Sequence, residues 1–195
     1  MPLEPLAAGQ LAAIVTSLEM TERPAPAPPI RAPFRLDCWE QPELDRYRTL
    51  YRAVGTPWIW FSRLVMSDGE LATILHDPNV ALHVPCRRDG TPVGILELDF
   101  RQPGECELAF FGLIPEMAGR GIGNWLMAHA LRLAWAGEDI RRVWVHTCTL
   151  DHPGALGFYQ RHGFRPFARA VETFADPRLA GVLPRDCAPG VPLLG

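Results

Sequence analysis

The chain has 195 residues, 48% of them hydrophobic and 21% charged, with a formal net charge of -3. That is the balance of one globular domain with an appendage, and it excludes an overall electrostatic pull toward nucleic acid. Five widely spaced cysteines, with no C-x-x-C pair, exclude a disulfide framework and a zinc knuckle.

Taken in chain order, Leu3, Leu6, Leu11, Ile14, Val15 and Leu18 recur near a 3.6-residue period and predict an amphipathic helix over 3–20. A proline-rich linker at 24–33 makes that helix an arm, so 1–33 forms a unit of its own. The body, 34–176, opens with a strand at 34–39. A helix over 42–54 follows, with Leu44, Tyr47, Leu50, Tyr51 and Val54 on one face. Trp58, Trp60 and Phe61 crowd the next segment, and Ser67 with Glu70 forms a capping box that opens a second helix.

Strands at 80–86 and 92–100 surround an Arg88-Asp89-Gly90 turn. A long strand runs over 105–113. Gly119, Gly121 and Gly123 then open a helix over 120–136 with Ile122, Leu126, Ala130 and Leu133 inward. A strand at 142–148, a helix capped by Asp151 and stopped by Gly163, and strands at 164–167 and 171–174 complete the body. The Pro- and Gly-rich tail, 177–195, is expected to wrap over the surface. Hairpins followed by a strand–helix–strand–helix–strand section give an α+β (mixed α/β) class, with a mixed, mostly antiparallel twisted sheet flanked by helices and an N-terminal helical arm. No apolar run approaches a membrane span, and Glu4 stands where a signal peptide needs positive charge. The chain therefore reads as cytoplasmic, with no membrane and no nucleic-acid partner.

Three alternating glycines at a helix mouth, directly after a strand, suit an anion held by backbone N–H groups. A Walker A loop needs Lys-Ser or Lys-Thr after its last glycine, where this chain has Asn124 and Trp125. A dinucleotide fingerprint counted from Gly119 needs glycine where Asn124 stands.

The segment 105–167 resembles the GNAT superfamily of N-acetyltransferases. Residues 106–116 look like that family's fourth strand, and Gly119-Arg120-Gly121-Ile122-Gly123 looks like its pyrophosphate loop. The run from Asp151 to Phe164 carries the motif A-x-x-F-Y-x-x-x-G-F. The resemblance implies the GNAT fold and acetyl transfer from acetyl-CoA to a small-molecule or protein amine, without a metal. It implies pyrophosphate binding by residues 118–124 (Ala118, Gly119, Arg120, Gly121, Ile122, Gly123, Asn124), contact from Asp151, and pantetheine binding by the backbone of Leu113 and Ile114. It also implies that Tyr159 is the acid that protonates the leaving thiolate and that Glu107 is the base. Glu107 is expected to share a face with Ala109, Phe111 and Leu113. Glu97 and Asp99 are rival bases, and Glu97 is also a candidate for the acceptor site. Trp58, Trp60, Phe61, His76 and His83 are expected to line the acceptor pocket. The lone histidines His129 and His146 are expected to pack or hydrogen-bond. Dimers are frequent in the family, and the N-terminal arm is compatible with a homodimer. The family pattern has Gln or Arg where this chain has Ala118. That departure leaves a second reading, a CoA-binding regulatory or assembly module without turnover.

Overall fold

The computed structural model describes residues 3–25, 30 and 32–194. One seven-stranded sheet, in the order β2-β3-β4-β5-β6-β1-β7, organises the chain. Its strands are β1 (Gln10–Met20), β2 (Phe34–Cys38), β3 (Val80–Arg87), β4 (Gly94–Asp99), β5 (Glu105–Leu113), β6 (Arg142–Cys148) and β7 (Arg165–Ala175). All neighbours are antiparallel except β5 and β6, which α4 (Ile122–Ala134) connects. A crossover helix is what parallel neighbours require. The other helices are α1 (Leu44–Gly55), α2 (Ser62–Val65), α3 (Asp68–Leu75) and α5 (Ala155–Arg161).

The main correction concerns the N-terminus. Residues expected to form a helical arm instead form β1, which lies inside the sheet between β6 and β7. Leu3 and Leu6, counted into the helical stripe, are exposed. The run Ile14-Val15-Thr16 is β-branched and favours a pleated strand. Thr16, Leu18 and Met20 alternate into the core, a period of two that the wider helical count concealed. The segment is therefore not an arm held out for a partner. Residues 26–29 and 31 of the expected linker lie outside the described residues.

One core lies between α4, α5 and a sheet face that presents Leu96, Leu98, Leu108, Val143, Val145 and Leu18. The opposite face carries α1 and α3, where Tyr47, Leu50, Tyr51, Val54, Leu71 and Leu75 pack on Leu82, Val84 and Ile95. The buried face of α1 is the one its sequence periodicity indicates. A capping box at Ser67 and Glu70 opens α3 as expected. The expected strands 164–167 and 171–174 are one continuous strand, β7, with a register shift opposite Ser17 and Leu18.

The tail is pinned to the body. Asp176 and Arg178 form a buried ion pair, and the Arg178 guanidinium also donates to the carbonyls of Cys187, Val191 and Pro192. This holds Leu183 and Ala188 against Ile59, with Phe61, Leu150 and Phe174 packed around them.

Candidate active site

Two irregularities in β5 open the sheet. Between Leu98↔Leu108 and Glu97↔Phe110 the register shifts, which makes Ala109 the extra residue of a β-bulge. The bulge resets the alternation of side chains. Glu107 opposite Asp99 and Phe110 opposite Glu97 share the face that carries α1 and α3. Phe111 and Leu113 point to the other face, with Leu96 and Leu98. Glu107 was expected to share a face with Ala109, Phe111 and Leu113, and the bulge is why it does not.

The second irregularity is a divergence. β5 pairs with β6 only over Glu105↔Arg142, Cys106↔Val143 and Glu107↔Trp144. Beyond Glu107 the two strands part, and a cavity of about 800 Å³ runs through the gap. Ile114 N–H donates to the Val93 carbonyl at 2.9 Å, so that donor is already spent on β4. Antiparallel alternation then turns the main-chain groups of Leu113 and Phe111 toward the gap. Leu113 thus turns its main-chain groups to the gap, whereas Ile114 N–H is committed to β4.

The glycine loop forms one end of the cavity, where Ala118, Gly119, Gly121, Gly123 and Asn124 line it. Gly119 and Gly121 adopt φ of +72° and +74°, the left-handed region. Gly121 is the N-cap residue of α4 and has no side chain to satisfy the first N–H groups. Those groups and the helix dipole face the cavity, and this is the geometry of an anion cradle. Ile122 is buried beneath the loop, Arg120 is exposed at its rim, and Ala118 presents only a methyl group. Because a Cβ at Gly121 meets no atom within 4 Å, a substitution there acts through backbone strain alone. Gly121→Ala should destabilise the fold by roughly 1–2 kcal/mol, the cost of a left-handed L-residue, and chemical denaturation checks this.

Tyr159 reaches the gap from α5. Its ring packs against Phe111, Phe158 and Phe164 at centroid distances of 5.7–6.2 Å. Burial raises its pKa, and the nearby Asp151 charge raises it further, so the phenol is held protonated.

Asp151 has a different role from the helix cap expected of it. Its carboxylate accepts from Thr147 Oγ1 and Cys148 N–H, both at 2.8 Å, and from Trp60 Nε1–H at 3.0 Å. It thus ties the end of β6 to the aromatic segment across the cavity. Trp60 lies where Gly55 and Gly112 leave no room for a Cβ. Ile59, between the two tryptophans, has φ of +57°, an uncommon conformation for a β-branched residue. Trp58 stacks edge-on with His152 at 5.2 Å. Trp58, Trp60 and Phe61 line the cavity as expected, whereas His76 and His83 do not. His76 contacts the Pro42 carbonyl at 3.3 Å instead.

Glu97 does not reach the cavity either. It is fully buried, and its carboxylate accepts from the Tyr47 hydroxyl at 2.7 Å and from the Arg63 guanidinium. Asp99 lines the cavity but is held by Arg101 through both oxygens. Glu107 is the remaining member of the three. It meets His146 Nδ1 at 3.4 Å. The Glu107 contact raises the His146 pKa above the usual imidazole range, burial opposes the rise, and Asp151 and Glu172 add to it. His146 was expected only to pack or hydrogen-bond. Alternation along β6 puts His146 on one face with Trp144, and the pairing of Trp144 with Glu107, which no local spacing announces, brings it to the site. Glu172 and Phe174 also line this end, and both come from β7.

No helix among the described residues is long and apolar enough to cross a membrane. No group of three or more His, Cys, Asp or Glu side chains among them could hold a metal ion.

The sheet is thus parted between two parallel strands, with a glycine-lined anion cradle at one end of the gap and Tyr159, Glu107 and His146 lining it. Residues 34–164 match the model of the acetyltransferase (GNAT) family, and the chain belongs to that family. No curated protein sequence matches the chain. Among solved structures, it is similar to a GCN5-related N-acetyltransferase from Sphaerobacter thermophilus at 18% identity and TM-score 0.58, covering 83% of this chain and 51% of that one. A protein from Staphylococcus epidermidis described as functionally unknown aligns at 15% identity and TM-score 0.58, covering 86% and 63%. An aminoglycoside acetyltransferase from an uncultured soil sample, solved with trehalose, aligns at 15% identity and TM-score 0.54, covering 67% and 88%. The chain thus spans about half to two thirds of the length of the first two. At these identities the likeness is one of fold.

Proposed function

We propose that the protein is an N-acetyltransferase that moves the acetyl group of acetyl-CoA directly to a primary amine of a small molecule or protein. The observation that carries this reading is a single cavity joining the glycine cradle, the open edge of β5 and Tyr159. A pyrophosphate suits the N–H groups at 119–123, with Arg120 adding charge at the rim and Asn124 at the first turn of α4. The pantetheine arm fits as an added strand against Phe111 and Leu113. The thioester then lies near Tyr159, whose protonated hydroxyl can neutralise the departing thiolate. The amine enters from the opposite face, between Trp58, Trp60 and Phe110, and its proton leaves on the Glu107 side. Five free cysteines suit a reducing, cytoplasmic setting.

The test is calorimetric and kinetic. CoA at a hundred times its Kd should stabilise the fold by about 2.7 kcal/mol, raising Tm by roughly 5–10 °C. A panel of amines should then release free thiol from acetyl-CoA. Ala118, which offers no side-chain donor to a phosphate, favours one other reading, a CoA-binding module without turnover. Stabilisation by CoA with no thiol release from any amine would select that reading. No stabilisation at millimolar CoA would remove both.

A further inference from the structure

We infer that His146 is the group that takes the proton from the acceptor amine, and that Glu107 is its positioning residue. The inference rests on the acetyl-transfer reading.

The geometry carries it. Glu107 and His146 come from the two strands that part at the cavity. Their last paired residues are Glu107 and Trp144, so His146 is the next β6 residue on the face of Glu107. His146 Nδ1 lies 3.4 Å from Glu107 Oε1. With Nδ1–H turned to that carboxylate, Nε2 is left with its lone pair. The His146 side chain is 48% exposed and that of Glu107 22%, so the imidazole is the more accessible of the two. Both line the cavity.

The charged groups that act on His146 are acidic: Glu107 from β5, Asp151 from the turn after β6, and Glu172 from β7. Asp151 is occupied by Trp60, Thr147 and Cys148, and Glu107 is the carboxylate in contact with the ring. This surround also favours entry of an ammonium ion over a neutral amine or an anion.

The step balances as follows. The ammonium form of the acceptor gives one proton to His146 Nε2. The neutral nitrogen then forms the N–C bond to the thioester carbonyl carbon. The C–S bond breaks, and the thiolate takes the proton of the Tyr159 hydroxyl. The nitrogen sheds its second proton through His146. Solvent reprotonates Tyr159 and takes the protons from His146, so one proton is released per turnover.

The sign of the pH dependence follows. A base acts in its neutral form, so kcat/KM should rise with pH through the His146 pKa, which the Glu107 contact raises. Removing the Glu107 charge should move that rise to lower pH.

Two measurements on the full chain test this. Histidine NMR titration of the wild type and of Glu107→Gln should find the His146 pKa lower in the variant. Profiles of kcat/KM against pH should find His146→Gln slowed about 100-fold with its acidic limb gone. Glu107→Gln should be slowed less, with the limb shifted to lower pH. Thermal melts confirm that each variant is folded. A His146→Gln enzyme that keeps the wild-type limb, or a Glu107→Gln enzyme slowed as much as it, overturns the inference. The expected NMR shift with no turnover by the wild type instead overturns the acetyl-transfer reading and leaves the pair standing.

Discussion

Tyr159→Phe should lower kcat by about 100-fold while leaving the Kd for CoA unchanged. The substitution removes one oxygen and keeps the ring that packs against Phe111, Phe158 and Phe164. The residue is 6% exposed, and its phenol titrates above the ordinary tyrosine range because it is buried and lies near Asp151. A raised phenol pKa means that the proton is present through neutral pH and well into the alkaline range. It is therefore available for a thiolate leaving beside it, and no alkaline loss of activity near pH 8 or 9 should come from this group. Thiol release under saturating substrates gives kcat, and isothermal titration gives the CoA affinity. A variant that turns over at the wild-type rate removes Tyr159 from the mechanism. One that loses CoA binding in step with turnover makes it a packing residue instead.

Glu97→Ala should have the largest effect on stability, about 3–5 kcal/mol, or a fall in Tm of roughly 6–20 °C. Glu97 has no exposed surface, and its carboxylate is the partner of the buried Arg63 guanidinium and of the Tyr47 hydroxyl. Arg63 Nε already lacks a hydrogen-bond partner among the described residues. Removing Glu97 leaves a cation without its counter-ion beneath the aromatic cluster of Tyr47, Tyr51 and Phe110. Tyr47→Phe, which removes only one donor, should cost about 1 kcal/mol. Chemical denaturation of both variants measures the difference. Equal, small losses would mean that water reaches Arg63 and screens it.

Most of the body could be read from its residues, because local signals there agree with the tertiary structure. Turn residues bound β5 and β6, the apolar face of α1 is the buried one, and the glycine spacing marks the start of α4. The N-terminal strand was misread because Leu3 and Leu6, which are exposed, completed a helical period. Its true environment is set by β6 and β7, far away in sequence. At the site, the glycine loop and Tyr159 carry strong local patterns. The position of Glu107 does not, because the bulge at Ala109 is a property of the β4–β5 pairing and inverts the expected alternation. Glu97 and His146 exchanged their expected prominence for the same kind of reason. One is covered by Arg63, and the other faces the gap left by a strand divergence that no local spacing announces.

The placement of β1 also sets a timetable for synthesis. Ser17 pairs with His146 and Gln10 with Ala175, so β1 leaves the ribosome more than a hundred residues before the strands it bonds with. At about 5–20 residues per second, that strand waits roughly 6–30 s for its neighbours. During that time Ile14, Val15 and Leu18 are an unsatisfied β-forming segment, the kind that pairs with other nascent chains. Contacts of such long sequence separation also slow folding of the finished chain. The yield of active protein should therefore depend on how residues 10–20 are shielded while β6 and β7 are being made.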